Sequence, residues 1–185
     1  EFIGDVYEFP WVRGEDVQVD WRPQKDSMYV ETEEKPFNIF DESFELTGLA
    51  ILTPGGLYGD GILDWPEAAL TSDNLRFRYN GVTADSSNLR IKTQGSVGIA
   101  FSTSNVQADI DFDKQESNFI SNSDEVSTNM PYNKYRTSMD EFKWDMKART
   151  IDFKSKDGKA VFLSTHKDQD SLSFTGTTAN YNLST

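Results

Sequence analysis

The chain contains no cysteine in its 185 residues, which excludes disulfides, thiolate nucleophiles and thiolate zinc sites outright. It has one histidine, His166, set in the polar stretch Thr165-His166-Lys167-Asp168 with no second imidazole for metal ligation, so a surface histidine is expected. Basic residues are scarce. Eighteen Lys and Arg stand against 31 Asp and Glu, a net charge of -13 that repels phosphate backbones and anionic lipid alike. Nucleic acid is therefore excluded as a partner. No apolar run approaches the roughly 20 residues that a membrane-spanning helix needs. Helical periodicity is missing as well: Pro66-Glu67-Ala68-Ala69-Leu70 allows one turn, too short to be stable alone, and reads as a turn or strand entry. Glu1-Phe2-Ile3-Gly4-Asp5 is unlike a signal peptide, and both ends lie in strand-like sequence, as expected of a piece cut from a longer protein.

What is present is β-type patterning. The hydrophobic share is 36% while aromatics reach 13%, a combination that suits a thin sheet structure with wet outer faces. Alternation of period two recurs at Val17, Val19 and Trp21, at Leu46, Leu49 and Ile51, at Leu75, Phe77 and Tyr79, at Phe142, Trp144 and Met146, and at Leu172 and Phe174. Turn chemistry separates these runs at Pro54-Gly55-Gly56, Gly59-Asp60-Gly61, Asn80-Gly81, Gly95-Ser96 and Asp157-Gly158. Antiparallel neighbours are expected. The polar stretch 121–136, containing Met130-Pro131, predicts a long loop or kink between two sheet segments of a single domain spanning 1–185.

The chain also resembles itself. Asp73-Asn74-Leu75-Arg76-Phe77 returns as Asp170-Ser171-Leu172-Ser173-Phe174, and Phe77, Val82, Ala84 and Asp85 return 24 residues later as Phe101, Val106, Ala108 and Asp109. Self-similarity at this period predicts stacked units, each too small to bury its own face alone. The expected fold class is all-β, a repeat-built, folded-over sheet of open β-jellyroll or β-solenoid-like form, with a β-sandwich as the alternative.

Ala108-Asp109-Ile110-Asp111-Phe112 and Ala179-Asn180-Tyr181-Asn182-Leu183 resemble the short repeats of the organic-solvent-tolerance family, which includes the periplasmic bridge proteins of lipopolysaccharide transport. The segment from Leu46 to Leu57 also resembles repeats of large envelope proteins of the Bacteroidetes type. Together the resemblances cover roughly 44–113 and 140–185. They imply an open β-jellyroll whose groove holds acyl chains and which extends by end-to-end stacking, in an extracytoplasmic setting, the bacterial periplasm or cell surface. The family supplies no catalytic residue.

Three side-chain groups are candidates for chemistry. Asp109, Asp111 and Asp113 alternate along one strand and form a candidate cation contact. Same-face neighbours lie about 6.6 Å apart, however, so a straight strand cannot bring all three onto one ion. Asp60, Asp64 and Glu67 around Trp65 form a carboxylate cluster, for which turn capping and solvation is the simpler reading in so acidic a chain. Trp21 and Trp144 alternate with apolar neighbours and are expected in the core, whereas Trp11 after Pro10 and Trp65 before Pro66 sit at turns and are candidate glycan contacts. No cofactor is expected. The leading functional reading is a non-catalytic β-repeat segment of a larger cell-envelope protein, structural or a conduit for lipid or glycolipid, self-associating through its sheet edges. A glycan-binding module is the alternative, and a polysaccharide-active enzyme the second alternative.

Overall fold

The computed structural model describes residues 9–94, 98–123 and 128–183. These residues form one antiparallel sheet of 17 strands, folded along a line so that two walls face each other. The chain crosses the fold line once per rung, and successive rungs run in opposite directions.

The first rung is β1 (Val12–Arg13) on the first wall and β2 (Val17–Arg22) on the second; β3 (Ser27–Thr32) and β4 (Phe37–Ile39) return across it. Five long strands then bend through both walls without a break: β5 (Asp41–Thr53), β6 (Gly56–Trp65), β7 (Ala68–Arg78), β8 (Gly81–Lys92) and β9 (Ile99–Asp111). The last four rungs are again split. They are β10 (Glu116–Ser121) with β11 (Thr128–Met130), β12 (Tyr135–Thr137) with β13 (Glu141–Asp145), β14 (Thr150–Lys154) with β15 (Ala160–Ser164), and β16 (Ser173–Gly176) with β17 (Thr178–Asn182). The split follows from β9, whose residues 106–111 pair with β10 on the second wall while Ser102 pairs with Asn129 of β11 on the first.

Alternation places one residue in two inside, and the register lines these residues into rows running across the rungs. On the second wall one row reads Ala50, Gly59, Leu75, Ala84, Ala108, Phe119, Phe142, Phe153 and Ala179. The next row toward the mouth reads Leu52, Leu57, Phe77, Val82, Ile110, Ser117, Trp144, Ile151 and Tyr181. Large side chains meet across the fold, Phe101 with Phe142 at 5.4 Å and with Phe153 at 5.8 Å, and a single buried cluster extends from Phe37 to Leu183. Away from the mouth and the first rungs, side chains therefore fill the space that the family resemblance assigns to a groove.

The fold line needs residues that tolerate a bend and satisfy the backbone groups it frees. Gly48 and Gly61 pair across it with φ of +132° and +141°, and a Cβ on either would lie 2.2 or 2.1 Å from a carbonyl oxygen of the facing strand. Beyond them, short polar side chains take over. The hydroxyl of Ser72 donates to the carbonyl of Ser86 at 2.6 Å, that of Ser87 to Val106 at 2.9 Å, and the amide of Asn122 to Asp85 at 2.9 Å.

Several expectations are revised. Gly59-Asp60-Gly61 is not a turn between strands; it lies inside β6 at the bend. Asp157-Gly158 also sits at the fold line, joining β14 and β15 on opposite walls rather than a hairpin. Asn80-Gly81 and Pro54-Gly55-Gly56 do close hairpins, whereas Gly95-Ser96 lies outside the described residues. The stretch 121–136 carries β11 and most of β12, first-wall strands packed into the common cluster. Trp144 is buried as expected, but Trp21 is 69% exposed.

The 24-residue shift relates equivalent places only in part: Ala84 and Ala108 are cross-strand partners in one inner row, but Phe77 pairs with Val82 on the second wall and Phe101 with Ile91 on the first. Successive rungs are antiparallel and unequal in length, so the same shift carries Phe77 of β7 to the other wall of β9, which runs the same way, but carries Val82 and Ala84 of β8 onto β9, which runs the opposite way. Ala108–Phe112 and Ala179–Leu183, by contrast, both run from fold line to mouth on the second wall. They place Ala108 and Ala179, then Ile110 and Tyr181, in the same two inner rows.

Candidate functional site

The mouth lies opposite the fold line. Strand-connecting turns line it, and between them lies a pocket of about 500 Å³. Its floor is aromatic and apolar, built by Phe40, Phe44 and Trp65 from the first wall and Phe112 and Met146 from the second. Phe112 stands edge-on to Phe40 at 4.9 Å, to Phe44 at 4.7 Å and to Trp65 at 5.7 Å, the T-shaped geometry favoured by ring quadrupoles. Trp65 in turn stacks on Trp144 at 6.4 Å.

Phe40 is held at φ +66°, a left-handed conformation that strains a bulky residue. Its N–H donates to the carbonyl of Trp11 at 2.9 Å, tying the two residues together. Across the mouth, the N–H of Phe112 donates to the Asn80 carbonyl at 2.8 Å. Trp11 and Tyr79 rise at the rim, 48% and 58% exposed. The polar lining is Asp41, Glu67 and Asp113 with Ser43, Asn80 and Gln115, and no lysine or arginine contributes. Asp41 accepts from the N–H and hydroxyl of Ser43 at 2.7 and 2.6 Å, and Asp113 accepts from the amide of Asn80.

The two candidate glycan contacts thus line one pocket in different roles: Trp11 on the rim, Trp65 in the floor with 1% exposure and an indole N–H that has no hydrogen-bond partner among the described residues. Sequence reasoning missed Tyr79, Phe40 and Phe112. Tyr79 carried a signal, since it immediately precedes the Asn80-Gly81 turn.

The three candidate cation residues have separate partners. Asp109 pairs with Arg78, Asp111 with Lys114 at 2.7 Å, and Asp113 accepts from Asn80. Hydrogen bonds from the Lys114 ammonium and backbone N–H hold the Asp111 carboxyl below the usual carboxylate range. Asp109 and Asp111 belong to β9, while Asp113 lies in the turn that follows. Among the described residues no three Asp, Glu or His side chains are placed to hold a metal ion. The carboxylates around Trp65 are likewise dispersed. Asp60 sits at the fold line beside Gly61, Asp64 pairs with Lys92 at 2.6 Å, and Glu67 reaches the mouth pocket. His166 caps the short 3-10 turn Lys167–Gln169, its Nδ1 accepting from the N–H of Asp168 at 3.2 Å.

A second opening of about 360 Å³ lies between the walls at the end formed by the first rungs, lined by Val12, Val17, Met28, Val30, Phe37 and Leu52 among others. It is almost entirely apolar. Comparison with family models, curated proteins and solved structures finds no match to this chain.

Proposed function

We propose that this chain is a non-catalytic structural segment of a larger cell-envelope protein, a stretch of stacked rungs that associates through its open ends. One observation carries the reading: inner rows continue past the last residue that faces them. β2 extends the second wall so that Val19 and Trp21 prolong the rows of Val30 and Met28, yet they are 54% and 69% exposed. At the other end Phe174 continues the row of Phe162, stacked on it at 5.0 Å, and is 50% exposed. Among the described residues β2 pairs only with β3, β16 only with β15 and β17 only with β14, so both ends present backbone donors and acceptors beside an apolar face.

Two further features support it. The repeat elements that resemble the organic-solvent-tolerance family occupy matching inner positions, and beyond the apolar opening at the first rungs the interior is packed with side chains, which stiffens the chain. The reading therefore takes the structural side of the family resemblance. Size-exclusion chromatography with light scattering over a range of concentrations tests it. The mean mass should rise above 21.0 kDa with concentration, and Trp21→Glu should abolish the rise. A strict monomer at millimolar concentration, or association indifferent to Trp21→Glu, refutes it.

A further inference from the structure

We propose that the mouth pocket is a binding site for a neutral glycan, seated between Trp11 and Tyr79 over the aromatic floor. This assignment is independent of association through the ends, because the pocket opens at the mouth between the walls.

Size and shape come first. At about 500 Å³ the pocket falls within the roughly 300–1,000 Å³ range of small-ligand sites, and it is concave with an apolar base and few polar groups. Chemistry narrows the class. A pyranose ring has apolar C–H faces that stack on aromatic rings and an equatorial belt of hydroxyls that both donate and accept. The pocket offers both complements. Trp11 and Tyr79 are large, exposed aromatics on opposite lips, and Asp41, Glu67 and Asp113 are acceptors near them. Asn80 and Gln115 supply amides that can do either.

Charge decides between sugar types. No cationic side chain lines the pocket, while three carboxylates do, and none of the three is in an ion pair among the described residues. Uronates, sulfated sugars and phosphorylated head groups would meet like charge without a counter-ion. Neutral sugars carry no such penalty, and a carboxylate accepts from their hydroxyls about twice as strongly as a neutral acceptor does.

The site is also held in shape by the chain's own contacts. Phe40 occupies a strained conformation, locked by its bond to Trp11 and by edge contacts to Phe44 and Phe112. Strain of this kind persists where surrounding packing over-determines it, and it concentrates at binding sites. Pre-set aromatic walls reduce the ordering cost of binding.

Affinity electrophoresis of the chain through gels containing galactomannan, xyloglucan, laminarin or dextran tests the proposal, with alginate and polygalacturonate as acidic counterparts. At least one neutral polysaccharide should retard the chain, and the acidic ones should not. Titration of that polysaccharide should change tryptophan fluorescence. Trp11→Ala and Tyr79→Ala should each weaken binding at least tenfold with the thermal midpoint unchanged, since both rings are exposed at the rim. No retardation by any neutral polysaccharide overturns the proposal. Retardation equal in parent and both variants overturns it too, as does preferential binding to the acidic polymers. A fluorescence response to tetramethylammonium chloride with none to the glycans would assign the aromatic rim to a cation instead, and would also overturn it.

Discussion

Replacing Gly61 by alanine tests whether the sheet is folded where the structure places the fold. Gly61 sits at φ +141°, a conformation that costs a residue bearing a Cβ about 1–3 kcal/mol. The added methyl would stand 2.1 Å from the carbonyl oxygen of Thr47 and 3.1 Å from the Cα of Gly48, both backbone atoms of the paired strand. Backbone cannot rotate aside as a side chain does, so β5 and β6 must separate at the bend, breaking ladder bonds that the long strands share. The two effects together give about 3–5 kcal/mol, the range of the most damaging single substitutions. For a chain of this size that corresponds to a fall in thermal midpoint of roughly 6–20 °C.

Gly55 is the internal control. It lies in the turn between the same two strands, and a Cβ there meets only Tyr58 Oη at 3.4 Å and Thr53 Oγ1 at 3.6 Å. Gly55→Ala should therefore change stability by less than about 1 kcal/mol. Circular dichroism melts and urea titrations of the parent and both variants read the difference. A Gly61→Ala protein melting within 2 °C of the parent, or a Gly55→Ala protein equally damaged, would refute the folded arrangement of these strands.

Two other expectations concern the last rung. A chain ending at Asp170 loses β16 and β17, removes the buried side chains of Tyr181 and Leu183 and uncovers Ile151 and Phe153, which β17 pairs against. At about 1.5–3 kcal/mol per buried side chain the loss is about 5 kcal/mol or more, so thermal melting should show a collapse of stability and centrifugation a loss of solubility; an unchanged midpoint would show the rung to be dispensable. Tyr181 also confers a pH dependence. Burial raises its phenol above the usual value, while its one hydroxyl proton is shared across the fold between the carbonyl of Ala100 and Oδ1 of Asn133, each at 3.2 Å. The unfolded chain therefore releases this proton first. The contribution is whole below about pH 10 and disappears as pH rises through the folded-state value. Melts from pH 8 to 12 should show an alkaline loss that is smaller in Tyr181→Phe, even though that variant is less stable at neutral pH; parallel profiles would refute the assignment.

The strand class of the chain follows from local chemistry. Alternation at Val17 to Trp21 and at Phe142 to Met146, with hairpin dipeptides such as Asn80-Gly81, identifies strands because each residue's face is fixed by a period of two. The same patterning could not say which strands share a wall. Leu46, Leu49 and Ile51 read as one apolar set, but Leu46 is fully buried on the inner face while Leu49 and Ile51 are half-buried opposite Glu31 and Tyr29, because Gly48 lies between them at the bend. Trp21 and Trp144 likewise carry the same local signal. One is exposed and the other buried because β2 is an end strand and β13 is not. The mouth pocket had two of its aromatic parts visible beforehand, Trp11 and Trp65, since tryptophan beside proline marks a turn. Tyr79, Phe40 and Phe112 join them only through tertiary structure: turns spread along the chain from Trp11 to Met146 are brought to one opening by the folding of a single sheet along its polar spine, and no local interaction encodes that approach.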